Sequence, residues 1–135
     1  MKEHNKQLVE AAQQAGVATA IDFAIFQNHG YRGLYGGLDQ QAIHQRKGLK
    51  KSQKILDHMG STELAANLFR ATQTEEKLKR DGVNSKQQAN TTHFDVGSKV
   101  MQTIQELGGT MPEELPTPQV SIKQLENSVK ITEKK

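Results

Sequence analysis

The sequence predicts an all-α fold, a compact helical bundle of about five to six helices with a proline-containing C-terminal extension. Apolar residues recur at steps of three and four in several segments, polar caps and glycines stand where those segments should start and stop, and nowhere do apolar and polar residues alternate over a useful length. A chain of 135 residues, 34% hydrophobic but only 4% aromatic, suffices for one modest core of Leu, Ile, Val and Ala. The expected division is a helical domain over 1–116 and an extension over 117–135 that is partly ordered or ordered by a partner.

Leu8, Ala11, Ala12 and Ala15 predict a first helix over 3–15, stopped by Gly16. A second, over 19–28, carries Ile21, Ile25 and the Phe23/Phe26 pair on its apolar stripe and ends before Gly30. Residues 30–37 hold four of the eleven glycines, too permissive a backbone for regular structure, which predicts a loop or a string of turns. Short helices follow over 38–45 and 52–58, separated by Arg46 to Lys51, with Gly60 closing the second.

The strongest helical signal covers 62–81, with Leu64, Ala65, Leu68, Phe69, Thr72 and Leu78 along one side. Ser61 or Thr62 can cap it, Glu63 suits the positive end of its dipole, and Lys77, Lys79 and Arg80 suit the negative end. Ser85 and Gln88 form a capping box for a helix reaching Gly108, with Ala89, His93, Val96, Val100, Ile104 and Leu107 in a stripe. Gly97 costs that helix about 1 kcal/mol, which points to close approach of another backbone. All three prolines fall within 111–118, a linker or wrapping strap. Ile122, Leu125 and Val129 suggest a frayed or partner-dependent helix over 121–135.

No apolar run approaches the roughly 18 residues of a membrane span, and the polar opening lacks a signal-peptide core, so a cytoplasmic protein is expected. The absence of cysteine excludes thiol nucleophiles, disulfides and Cys-ligated metal. His4, His29, His44, His58 and His93 show no metal-binding spacing and read as structural or surface residues. Neither a Gly-x-Gly-x-x-Gly nor a Gly-Lys-Ser/Thr motif accompanies the glycines, and the pairs Glu75/Glu76 and Glu113/Glu114 have no reason to converge on a substrate. No cofactor, metal or catalytic residue is therefore expected.

A formal charge of +3 favours acidic partners. From His44 to Lys54 the chain carries Arg46, Lys47, Lys50, Lys51 and Lys54 without an acidic residue, either a phosphate-binding surface or a solvated basic one. Tyr31, Arg32 and Tyr35 could meet single-stranded nucleic acid, rings on bases and guanidinium on phosphate, or could form a packed turn.

The words Asp22-Phe23-Ala24-Ile25-Phe26-Gln27-Asn28-His29-Gly30-Tyr31, Gly33-Leu34-Tyr35-Gly36-Gly37, the stretch from Leu56 to Arg70 and Gly108-Gly109-Thr110-Met111-Pro112 closely resemble the family of DNA-damage-inducible protein D. The resemblance spans essentially the whole chain and matches the family's C-terminal half, its N-terminal, phage-antirepressor-like domain having no counterpart in these residues. It implies a part in the SOS response, where family members are proposed to restrain the RecA recombinase on single-stranded DNA, and it brings no catalytic residues. The expected function is a non-enzymatic fragment that binds and modulates, by inhibition, RecA filaments, its basic run meeting DNA phosphates or an acidic protein surface. The alternative is a dimerisation or DNA-binding module supporting the antirepressor-like domain, a homodimer seam being formed by exposed apolar residues on the helices over 62–81 or 85–107.

Overall fold

The computed structural model describes residues 2–118, so the helix expected over 121–135 lies outside the described residues. Five α-helices follow one another: α1 (Lys2–Gln14), α2 (Ala20–Leu34), α3 (Gln40–Arg46), α4 (Ser61–Arg80) and α5 (Lys86–Glu106), with 3-10 turns at Ile55–His58 and Pro112–Glu114. No strand occurs among the described residues, and the all-α expectation holds.

Local chemistry starts most of these helices. Thr19 Oγ1 accepts from the Asp22 amide at 3.0 Å, Asp39 Oδ1 from Ala42 at 2.9 Å, and Ser85 Oγ from Gln88 at 3.2 Å. α4 departs from expectation, because Gly60 occupies its N-cap without a side-chain hydrogen bond and Ser61 is already helical. The second short helix shrinks to the turn Ile55–His58.

The glycine segment also departs from expectation. α2 does not stop at Gly30 but continues through Gly33 to Leu34, and only Gly36 and Gly37, with φ of 63° and 104°, make the turn. The reason lies across the helix. α2 and α5 form the most extensive helix pair and run parallel: Asp22 meets Lys86, the Phe26 carbonyl meets His93, and Gly33 meets Phe94 and Ser98. A Cβ on Gly30 would overlap the His93 ring, one on Gly33 the Phe94 carbonyl oxygen, and one on Gly97 would lie 2.6 Å from the Gly30 carbonyl oxygen. Gly33 and Gly97 therefore serve close backbone approach, as Gly97 alone suggested from the sequence, and Gly30 makes room for the His93 ring.

Two apolar clusters form the core. Leu8, Ala12, Val17, Phe26, Leu78 and Ala89 join α1 to the starts of α2 and α5 and the end of α4. Tyr31, Leu34, Tyr35, Ile43, Ile55 and Val100 join the other halves to α3 and the 3-10 turn. Ile21 and Ile25, expected inside, are exposed, and so is Leu107.

α4 presents a different face from the one its aliphatic residues suggested. Ala65 and Phe69 are exposed and Leu64 and Leu68 half-buried, whereas Glu63, Asn67, Arg70 and Thr74 are buried to 1% exposure or less. Burial of a polar row is tolerable only where its groups satisfy one another. Arg70 does so in part at the seam between the clusters: its NH1 donates to His93 Nε2, its NH2 to Asn67 Oδ1 at 3.3 Å, and its guanidinium lies 4.9 Å from the Tyr31 ring centre, while its Nε has no hydrogen-bond partner among the described residues. His93 Nδ1 in turn donates to the Phe26 carbonyl at 2.8 Å, which makes His93 the neutral tautomer that accepts from Arg70.

Burial first, and the neighbouring Arg70 charge second, hold the His93 imidazole well below its ordinary pKa of 6.5. The unfolded chain takes up this proton near pH 6.5 while the folded chain refuses it, so the contribution to stability is complete above that pH and is lost as pH falls toward the depressed folded value. Between pH 6.5 and 5 unfolding free energy should fall by up to about 1.4 kcal/mol per pH unit from this residue. His93→Gln should be less stable at pH 7.5 yet show a shallower acid slope in urea titrations; an unchanged slope would assign the acid sensitivity elsewhere.

Candidate nucleic-acid interface

The basic run divides into an anchored part and a free part. Lys47 turns inward, its Nζ 2.7 Å from Glu63 Oε1 and 3.1 Å from the His58 carbonyl, with side-chain exposures of 6% for Lys47 and 1% for Glu63. Glu63 Oε2 accepts from the Tyr35 hydroxyl at 2.5 Å, and Asn67 Nδ2 donates to the same hydroxyl at 2.9 Å. Burial and the adjacent Glu63 carboxylate push the Tyr35 phenol far above its ordinary range, so it remains a donor. This chain of bonds ties α2, α3, α4 and the 3-10 turn together beneath the basic loop.

Above that anchor, Gly48 leaves α3 with φ of 64° and residues 50–53 form a compact turn. His44 Nε2 lies 3.0 Å from the Lys50 carbonyl and 2.9 Å from that of Gln53, which makes it a shared donor, and the Lys50 amide donates to Gln53 Oε1 at 2.7 Å. Lys50, Lys51 and Lys54 project from this pinned turn, exposed and in no ion pair among the described residues. Arg46 is exposed but tethered, its Nε donating to the Glu113 carbonyl at 2.7 Å. That contact and the buried Pro112 place the first proline of the 111–118 segment against the domain.

The structure withdraws three residues from the expected binding surface. Tyr31 is 4% exposed and Tyr35 1% exposed, so neither ring is free to stack on a base at the surface, and Lys47 is spent on Glu63. Arg32 is half-buried and lies 3.6 Å from Asp39. Both rings are packed, as the alternative reading had it, but Tyr31 lies inside α2 and Tyr35 caps it, so neither sits in the turn itself. Sequence reasoning missed Glu63, Asn67 and Arg70 as supports. Their spacing with Thr74, in steps of four, three and four, marks one helical face. Outside the loop, Phe69 on α4 and Phe94 on α5 are 52% and 40% exposed.

Among the described residues no group of three His, Asp or Glu side chains could hold a metal ion, and no helix is long and apolar enough to cross a membrane. Residues 1–125 match the family model described as DinD C-terminal domain. The whole chain is 95% identical to DNA damage-inducible protein D of Escherichia coli (strain K12) and spans 49% of that relative's length. No solved structure matches the chain.

Proposed function

The chain belongs to the DinD C-terminal domain family, and on that premise we propose that it acts, without catalysis, in the DNA-damage response by binding recombinase filaments assembled on single-stranded DNA and restraining them. The observation that carries this reading is the turn bearing Lys50, Lys51 and Lys54. It is exposed, in no ion pair among the described residues, and pinned by the hydrogen bonds of His44 and Gln53, so its charges can meet a phosphate backbone with little further ordering. The name of the Escherichia coli relative supports the DNA-damage setting, and the recombinase is the partner that the family resemblance implies.

Binding of the chain to recombinase alone, to bare single-stranded DNA and to the assembled complex tests the proposal. The assembled complex should bind tightest. Lys50→Glu with Lys51→Glu should weaken that binding at least about tenfold at low salt and by less as salt rises. Equal binding by wild type and the double variant across the salt series would reject the loop as the contact.

A further inference from the structure

We infer that the cleft between α1, α2 and the turn that follows Lys54 seats one unstacked base of single-stranded DNA, with a neighbouring phosphate on Lys54; this deepens the reading of the basic loop as a nucleic-acid contact and rests on it. The cleft measures about 330 Å³ and is lined by Phe23, Ala24, Gln27, Tyr31, Lys54 and Leu56, among others. That volume lies at the small end of ligand pockets, roughly 300 to 1,000 Å³, and suits a single planar ring system. Phe23 and Leu56, both half-buried, and Ala24 supply apolar walls against which a base can lie. Tyr31 also borders the cleft, and its ring already packs against Arg70.

Gln27 supplies the polar recognition. It is only 9% exposed, its Nε2 reaches Asn5 Oδ1 at the long distance of 3.5 Å, and its Oε1 has no hydrogen-bond partner among the described residues. Its Oε1 is closed to solvent in this geometry, and a rotation of the side chain toward the cleft would present it to a donor there and recover the free energy that a buried, unbonded carbonyl costs. Each of the four bases carries an N–H on its pairing edge. A nucleotide also brings, beside the base, the phosphate that Lys54 would meet at the rim of the same cleft. Lys54 is exposed at the cleft and continues the charged turn of Lys50 and Lys51, so the backbone track and the base seat adjoin.

The test uses the full chain with two oligonucleotides of equal length and phosphate number, one oligothymidylate and one abasic throughout. Oligothymidylate should bind at least about fivefold tighter. Ala24→Trp, at an exposed position on the cleft wall, should abolish this difference while leaving the salt dependence of the remaining binding intact. Equal affinity of the wild-type chain for both oligonucleotides overturns the base seat and leaves the basic loop standing. Failure to bind either oligonucleotide overturns the base seat, and the salt series on the assembled complex then decides the basic loop separately. If Ala24→Trp weakens binding to recombinase alone but not to oligothymidylate, the cleft takes a protein side chain and the inference is wrong.

Discussion

Gly33→Ala is expected to destabilise the domain by at least about 3 kcal/mol, beyond the usual range for overpacking by a methyl group. Helix propensity alone favours alanine here by about 1 kcal/mol, because Gly33 lies inside α2. The clash decides the sign. The new Cβ would overlap the Phe94 carbonyl oxygen and lie 2.9 Å from the Ser98 amide nitrogen. Both are backbone atoms of α5, so no rotamer change relieves the overlap and the parallel pair must separate. Gly60→Ala provides the contrast: its φ is −74° and nothing lies within 4 Å of its Cβ position. That change should cost no more than about 1 kcal/mol, the scale of a weakened N-cap. Urea unfolding of both variants checks the pair. A Gly33→Ala protein as stable as wild type would mean that α2 and α5 do not meet through these glycines.

Glu63→Ala should cost about 3 to 5 kcal/mol, the range for removing one partner of a buried ion pair. It strands the Lys47 ammonium at 6% side-chain exposure and deprives the Tyr35 hydroxyl of its acceptor. The lost carboxylate is not itself the larger part of this cost; the uncompensated buried cation is. Glu63→Leu combined with Lys47→Met should therefore recover much of the stability, and the double-mutant cycle measures the coupling. A functional consequence follows from the same geometry. Glu63→Ala makes the chain more positive, and by charge alone it should bind DNA more tightly. Because Glu63 anchors the base of the basic loop, we expect weaker oligonucleotide binding at temperatures where the variant is folded. Tighter binding would show that the loop needs no anchor.

The sequence carried a good deal of this site. The acid-free run from His44 to Lys54 was visible in the residues, as were the caps at Ser85 and the turn glycines near the helix ends. Which lysines stay free was not visible. Lys47 and Lys50 look alike in sequence, and they differ only because Glu63, sixteen positions past Lys47, comes within 2.7 Å of the former. The tyrosines mislead for the same reason, since aromatic rings near a basic segment suit base stacking until the packing that covers them is known.

Local periodicity, capping and composition determined that this chain would be helical, where most of its helices begin, and that cysteine chemistry was closed to it, because those properties depend on neighbours within a turn or two. Tertiary structure alone decided that Gly30 and Gly33 belong inside α2, that α4 buries Glu63, Asn67 and Arg70 instead of Ala65 and Phe69, and that Lys47 of the basic run turns inward while Lys50, Lys51 and Lys54 project outward. Glycine inside a helix and a buried charge each carry a local penalty. Only contacts from residues distant in the chain can offset such penalties, and no window of sequence contains them.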